Sequence, residues 1–447
     1  MKPLNIDALK QNFFGTIIMP TDDAYEEARK SYVSKGTPAI VLRPNTSGDV
    51  VVALQFAKSN SLIISIRSGG HSVAGFCTNN GGIIIDLSMM NTVEVIDKVN
   101  SIVRIGAGAT WKKVAATLQE HGLALSSGDS TSVGVGGLAL GGGIGWMVRK
   151  YGLTIDSLKA AEIVTADGKI LRTAATEYPD LFWAIRGGGG NFGIVTYFEF
   201  AAKPVDKVFS GMIIYAMENL SGLLKGWRDV MRASSEDLTV MFLVMPSFFG
   251  NPPSAIAWCC YAGDDETEAM KSIDPLLHIG TVVQNTVIKK NYADVLEEPH
   301  PPEGVKAIVT NGFVEQINDE LIHAIASTHG KEVGPALQLR YVKGAMNRIN
   351  SDATAFAHRS GEILLISAAF VPLEATQSEI DQAMIPWRTI SPFTKGAYVN
   401  FFSSVNKEDI AVVYPQETYN RLAAVKKIYD PQNVFNQNYN IKPAGAR

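Results

Sequence analysis

The sequence predicts a mixed helix-and-strand chain in two domains, and three observations carry that prediction. At 447 residues the chain exceeds what one hydrophobic core ordinarily serves, so two cores are expected. The first two hundred or so residues alternate short β-branched runs with amphipathic segments and are dense in glycine. From about Val208 the glycines thin out, and longer strands and amphipathic helices continue to about Asn406.

Residues 21–35 open on Asp22-Asp23 and space their apolar positions helically, which predicts a short capped helix. Residues 38–43 read as a buried strand closed by Pro44. Residues 47–60 carry Val50, Val51, Leu54 and Ala57 on one helical face, and residues 62–67 form the next strand, completing a β-α-β unit. The segment from Ile66 to Ser72 then runs from strand into a Gly69-Gly70 turn that carries His71. Three further strands are expected at 81–87, 93–96 and 102–105, followed by a helix over 110–120 that Gly122 ends. Seven of the twelve positions from Gly134 to Gly145 are glycine. Strands at 161–165 and 170–172 flank an Ala166-Asp167-Gly168 hairpin turn. A helix over 177–185 leads into a second glycine loop, Gly187 to Gly193, and a strand over 194–200. Pro204 marks a boundary. Beyond it, residues 336–343 read as a strand and 416–429 as a helix halted by Asp430-Pro431.

Composition narrows the class. Forty basic and 44 acidic side chains give a net charge of −4, spread without blocks, so neither a nucleic acid nor another polyanion is an expected partner. Of three cysteines, Cys259 and Cys260 are adjacent and would point to opposite faces of a strand, which makes neither a disulfide framework nor a metal site. A reducing compartment fits. Residues 1–15 lack a secretory apolar core, and the longest apolar run, 363–373, falls short of the ~20 residues that cross a bilayer. A cytoplasmic protein with no membrane partner is the expectation.

Glycine clusters let backbone N–H groups approach a ligand closely. Those at 68–70, 134–145 and 187–193 would together line a large anionic ligand such as a pyrophosphate. Gly134-x-Gly136-Gly137 lacks the leading parallel strand and following acidic residue of a dinucleotide fingerprint, and no Gly-Lys-Ser/Thr closes any of the loops. A nucleotide would be held some other way.

Arg67-Ser68-Gly69-Gly70-His71-Ser72 with Gly75, Asp86-Leu87-Ser88-Met89 and Gly106-Ala107-Gly108 resemble the FAD-linked oxidases of the vanillyl-alcohol-oxidase and berberine-bridge-enzyme group. So do Val133-Gly134-x-Gly136-Gly137, Gly141-Gly142-Gly143-x-Gly145, Arg149-Lys150-Tyr151-Gly152-Leu153 and Phe182-Trp183-Ala184-x-Arg186-Gly187-Gly188-Gly189. The tail, with Arg421-Leu422, Lys426, Tyr429-Asp430-Pro431, Phe435 and Asn438-Tyr439-Asn440-Ile441, resembles the family's bacterial 6-hydroxy-D-nicotine oxidase-like members.

The resemblance implies an α+β fold. Residues 1–207 would form a PCMH-type FAD-binding domain of two subdomains, with a core at about 34–204. Residues 208–406 would form a substrate domain with an antiparallel sheet covered by helices, and 407–447 would return to the FAD domain. It implies FAD held by Ile66, Arg67, Ser68, Gly69, Gly70, Ser72, Ser130, Val133, Gly134, Gly137, Gly141, Gly142, Gly145, Val195, Asn400, Asn438 and Asn440. His71 would bond the flavin C8 methyl group. Many relatives add a cysteinyl bond from a Cys-Pro-x-Val-Gly motif, where this chain has Ser130-Thr131-Ser132-Val133-Gly134, so a single attachment is implied; Cys77 does not occupy that position.

Many relatives also use the second tyrosine of Tyr-x-Asn-Tyr as a base, and this chain has Tyr398-Val399-Asn400-Phe401. Phenylalanine accepts no proton. Either the substrate needs no strong base or Tyr398 serves, or Tyr341 or Lys343, which share one face of a strand by period two. The implied activity is hydride transfer from a small organic substrate (an amine, alcohol or secondary metabolite) to flavin N5, with O₂ reduced to hydrogen peroxide. The alternatives are a dehydrogenase using another acceptor, on which the residue at Leu153 bears, and a non-catalytic flavin-binding or coat-like protein. Substrate identity and oligomeric state have no signature in the chain.

Overall fold

In a computed structural model, residues 4–247, 251–298 and 304–446 are described. Short β-branched runs become strands where each can bury both faces, and the first such sheet lies nearest the site. Its four strands lie in the order Thr16–Ile18, Ile40–Arg43, Ile83–Asp86, Ile64–Arg67. Ile83–Asp86 pairs in parallel with both of its neighbours, as a β-α-β path requires. The connecting helix, Ser47–Ser59, starts on a capping box between Thr46 and Asp49 and buries Val50, Ala53, Leu54 and Ala57.

A second, antiparallel sheet runs Val93–Asp97, Ile102–Gly106, Ile194–Ala201, Leu158–Val164, Ile170–Ala174. Its last hairpin turns at Gly168 (φ 84°), as the Ala166-Asp167-Gly168 signal predicts.

The third sheet has eight strands, all antiparallel. Val282–Asn285, Lys207–Tyr215, Ser254–Tyr261, Leu238–Met245, Ala336–Tyr341, Ile363–Pro372 and Val305–Val314 follow in order, with Ile288–Asn291 also on Lys207–Tyr215. Helices Leu220–Ala233 and Asp319–Thr328 pack Leu223, Trp227, Met231, Leu321 and Ile325 onto one face. Cys259 belongs to that core and Cys260 to the core of the opposite face, so the adjacent thiols point apart and both are free. The opposite face brings Phe313, Leu364 and Ile366 against Ile144, Leu153, Phe356 and Tyr398.

Three expectations are corrected. Residues 21–35 hold only a four-residue helix, Tyr25–Ala28. The Arg67 guanidinium takes the carbonyls of Ala28 (2.5 Å) and Lys30 (3.0 Å), and the chain then turns so that Tyr32 N–H donates to Gly70 O (3.0 Å). The glycine-rich run from Gly134 contains a helix, Val135–Gly141, despite its low helix propensity. Tertiary packing decides there, since any Cβ on Gly134 would stand 2.1 Å from Gly69 N. The strand expected over 336–343 stops at Tyr341, because Arg149 Nε donates to Lys343 O (3.0 Å) and turns the chain away.

The C-terminal helix, Gln416–Tyr429, ends where predicted. The Asp430 carboxylate accepts the N–H groups of Val434 (2.8 Å) and Phe435 (2.9 Å) and pairs with the fully buried Lys426 Nζ (2.7 Å). Lys426 also donates to Asn191 O (2.7 Å) and Phe435 O (2.8 Å), so its charge is buried fully partnered and clasps the tail to the second glycine loop. No helix among the described residues is long and apolar enough to cross a membrane.

Candidate active site

A cavity of about 390 Å³ opens where the His71 turn, the glycine-rich helix, the loop before Ile194 and the segments at 398–402 and 435–439 converge. Its size is that of a small-molecule site. Ile66, Ser68, Gly69, Gly70, His71 and Ser72 line it from the first turn. Ser130, Val133, Gly134 and Gly137 line a second side, and Val195, Asn400, Asn438 and Tyr398 complete the set of sequence-predicted residues brought together.

The turn is built by close approach. A Cβ on Gly69 would stand 2.2 Å from Gly134 N, and Gly70 takes a left-handed conformation, φ 75°. Ser68 Oγ fastens the two loops by donating to Ala107 O (2.6 Å) and accepting from Gly136 N–H (3.2 Å). His71 stacks on Tyr32, with ring centroids 4.5 Å apart, and its Nε2 lies 2.9 Å from Ser132 Oγ. Burial holds its pKa below the usual imidazole range, so the ring is neutral at physiological pH. Among the described residues no hydrogen bond is made to its Nδ1.

The lining fits a flavin nucleotide. The N–H groups of Gly69, Gly70 and His71 donate to no protein acceptor among the described residues, which leaves a row of donors for an anion. At Gly137 and Gly190, both on the cavity wall, a Cβ would meet nothing within 4 Å, so bare backbone faces the space. Asn438 donates to Gly190 O (3.2 Å) and Phe435 O (3.1 Å), while its buried Oδ1 has no partner among the described residues. Val133, Leu138, Ile144 and Val195 supply apolar wall for a ring system.

Five predicted cofactor contacts lie off the lining. Arg67 is spent on the carbonyls of Ala28 and Lys30. Gly141 makes room for Asn400, whose Nδ2 would stand 2.5 Å from a Cβ there; Gly142, at φ 132°, packs under Phe356. Gly145 packs on Ser127 O, 1.5 Å from any added Cβ. Asn440 lies outside the lining, and its buried Oδ1 has no partner among the described residues.

The catalytic candidates separate. Tyr398 is fully buried. Its hydroxyl accepts from Gly143 N–H (3.1 Å) and Asn400 Nδ2 (2.9 Å), and burial pushes its pKa up to about 12. Asn400 Nδ2 also reaches Gly137 O (3.3 Å), so Tyr398 positions Asn400 at the glycine wall. Tyr341 points into the helix-side core, where its hydroxyl donates to Glu362 (3.1 Å) and its ring meets Trp227 edge-on. Lys343 is exposed beyond the strand end. Neither lines the cavity.

The face of that strand opposite Tyr341 carries its neighbour, Arg340, which reaches the cavity-lining Asp129. Its Nη2 donates to Asp129 Oδ2 (2.5 Å), Nη1 to Ile144 O (3.3 Å) and Nε to Gln338 Oε1 (2.8 Å), and its guanidinium lies 5.1 Å over the Phe401 ring. Sequence reasoning missed Asp129 and Arg340; the available signal was a carboxylate beside Ser130 and a cation beside Tyr341. Leu153 is fully buried in the cluster containing Tyr398, outside the lining. Cys77 lines the cavity and donates its thiol to Gly70 O (3.3 Å), and burial raises its pKa.

Residues 38–174 match the FAD binding domain family, and residues 397–442 match the berberine and berberine-like family. The (R)-6-hydroxynicotine oxidase of Paenarthrobacter nicotinovorans is 32% identical over 97% of this chain and 97% of its own. The chain belongs to the FAD-linked oxidases of the vanillyl-alcohol-oxidase and berberine-bridge-enzyme family, and it is an FAD-dependent oxidoreductase. The crystal structure of 6-hydroxy-D-nicotine oxidase from Arthrobacter nicotinovorans superposes with a TM-score of 0.87 at 30% identity, covering 99% of each chain. The glucooligosaccharide oxidase from Acremonium strictum, with a 6-S-cysteinyl, 8α-N1-histidyl FAD, has the same fold; its TM-score is 0.83 at 22% identity, over 99% of this chain and 100% of that one.

Proposed function

We propose that this chain is a monocovalent flavin oxidase in which His71 makes the single bond to FAD. The observation that carries this reading is the His71 ring fixed by Tyr32 and Ser132 on the cavity wall, with Nδ1 unengaged among the described residues; burial lowers its pKa and so favours the neutral ring. Ser130, also on the wall, has no thiol with which to form a second bond. Residues 1–207 and 407–447 hold the cofactor, and 208–406 present the substrate over the sheet face that carries Arg340.

The chemistry that FAD would supply when bound is a hydride acceptor at N5, whose two electrons would, with two protons, reduce O₂ to hydrogen peroxide. The residues of the chain do the rest. The donor row at Gly69 to His71 takes the anionic part, the apolar walls keep water out, and Asn400, locked by Tyr398 and Gly137 O, presents a fixed amide at the glycine wall. A small amine, alcohol or secondary metabolite would be the substrate, and the amine oxidase among its relatives supports the first class.

The test is a peroxide assay with benzylamine, 4-hydroxybenzyl alcohol and cellobiose as probes, on wild type and His71→Ala. Peroxide from wild type, with yellow protein after acid precipitation, supports the reading. Reduction by substrate with air reoxidation slower than turnover on an added acceptor would make the chain a dehydrogenase, and colourless precipitate would remove the covalent bond.

A further inference from the structure

We infer that Asp129, held by Arg340, is the proton acceptor of this site. The inference rests on the reading of the cavity as the place of oxidation. Among the described residues Asp129 is the one carboxylate that lines the cavity, and none of the described lysines or arginines lines it. The remaining titratable side chains there are Tyr32, His71, Cys77, Tyr398, Tyr414 and Tyr439. Burial raises the pKa of every phenol and of the thiol, which keeps them protonated. His71 is committed to the cofactor. That leaves Asp129.

The carboxylate is arranged for the task. Oδ2 is taken by Arg340 and Oδ1 by one weak bond from Ser130 Oγ (3.2 Å), so among the described residues about two of its roughly four acceptor sites stay open. The Arg340 side chain is 7% exposed and that of Asp129 is 23% exposed, so the cation sits behind and the carboxylate in front. Arg340 also covers the ring of Phe401, at the place where a tyrosine would otherwise have offered a base. Arg340 is thus a positioning residue and Asp129 the group that meets substrate.

The substrate class is an organic molecule with hydrogen on both a carbon and its attached nitrogen or oxygen. The C–H bond breaks with its electron pair leaving as hydride, which the flavin accepts. The N–H or O–H bond breaks with its proton going to Asp129 Oδ1. A C=N or C=O bond forms, and Asp129 later returns the proton to water.

The other groups facing Asp129 are Glu297, whose N–H donates to Asp129 O (3.1 Å), and the buried hydroxyls of Tyr292 and Tyr398. Glu297 must therefore be controlled for. The experiment is benzoate binding to the flavin-loaded protein, read from the flavin absorbance at about pH 7, where benzoate is an anion. In wild type the Asp129 carboxylate on the cavity wall repels the anion, so binding is weak.

Asp129→Asn is expected to bind benzoate at least about tenfold more tightly. Asp129→Glu and Glu297→Gln are expected to keep the wild-type affinity. Equal affinity in wild type and Asp129→Asn overturns the proposal, and binding by neither counts as equality. Tighter binding in Glu297→Gln with no change in Asp129→Asn also overturns it. Flavin content, read from the same spectra, shows whether each variant is loaded. An absence of peroxide with every probe would count against the oxidase reading and leave this comparison intact.

Discussion

The carboxylate of Asp129 and the imidazole of His71 sit on the same cavity with opposite requirements. A histidine that is to bond carbon must be neutral, and burial provides this by holding its pKa below the ordinary value. Covalent FAD incorporation into flavin-free protein should therefore stay level as pH falls to the ordinary imidazole value of about 6.5, and drop only below it. Loss of incorporation already at higher pH would contradict a depressed pKa. The same shift has a stability sign: the unfolded chain takes up the proton first, so stability is full above the ordinary imidazole value of about 6.5 and is lost as pH falls from there through the depressed folded value. For Asp129, replacement by Asn should slow flavin reduction by any productive probe by about 10²-fold or more without changing flavin content. Stopped-flow absorbance decides. Tyr398→Phe should cost about 1–3 kcal/mol in denaturant unfolding, because Gly143 N–H loses its buried acceptor.

At the scale of elements, the glycine turns and the helix between them act as one part. Gly69 and Gly134 touch backbone to backbone, so Gly69→Ala should cost more than the about 1–3 kcal/mol of ordinary overpacking and yield protein low in flavin. Normal flavin content and melting temperature in that variant would refute the contact. Much of this was legible in sequence, because a strand followed by Gly-Gly-His is a local signal and the turn at Gly70 is a local conformation. The strand at 336–341 was legible as a strand but not in its parity. Period two groups Tyr341 with Lys343 and leaves Arg340 on the other face, and only the partners reveal which face meets the cavity: Trp227 behind, Asp129 in front. Asp129 and Arg340 are joined across the fold, so no window of sequence contains both. The helix expected over 21–35 failed for the same reason, since Arg67, far along the chain, claims the carbonyls that would have continued it.

Over the whole molecule, the chain returns on itself to complete the cavity. Phe435, Asn438 and Tyr439 line it from the tail, and the clasp is Lys426, which joins Asp430 to the carbonyls of Asn191 and Phe435. Lys426→Met leaves Asp430 buried without its cation, and a loss of about 3–5 kcal/mol follows from breaking a buried pair. Thermal unfolding and flavin retention should fall together. The central claim, one covalent bond from one histidine, is tested most directly by digesting denatured, flavin-loaded protein and mapping the flavin by peptide mass. The result predicted is one FAD on the peptide carrying His71 and none on the peptide carrying Ser130. FAD recovered entirely free, or attached anywhere other than His71, would contradict it.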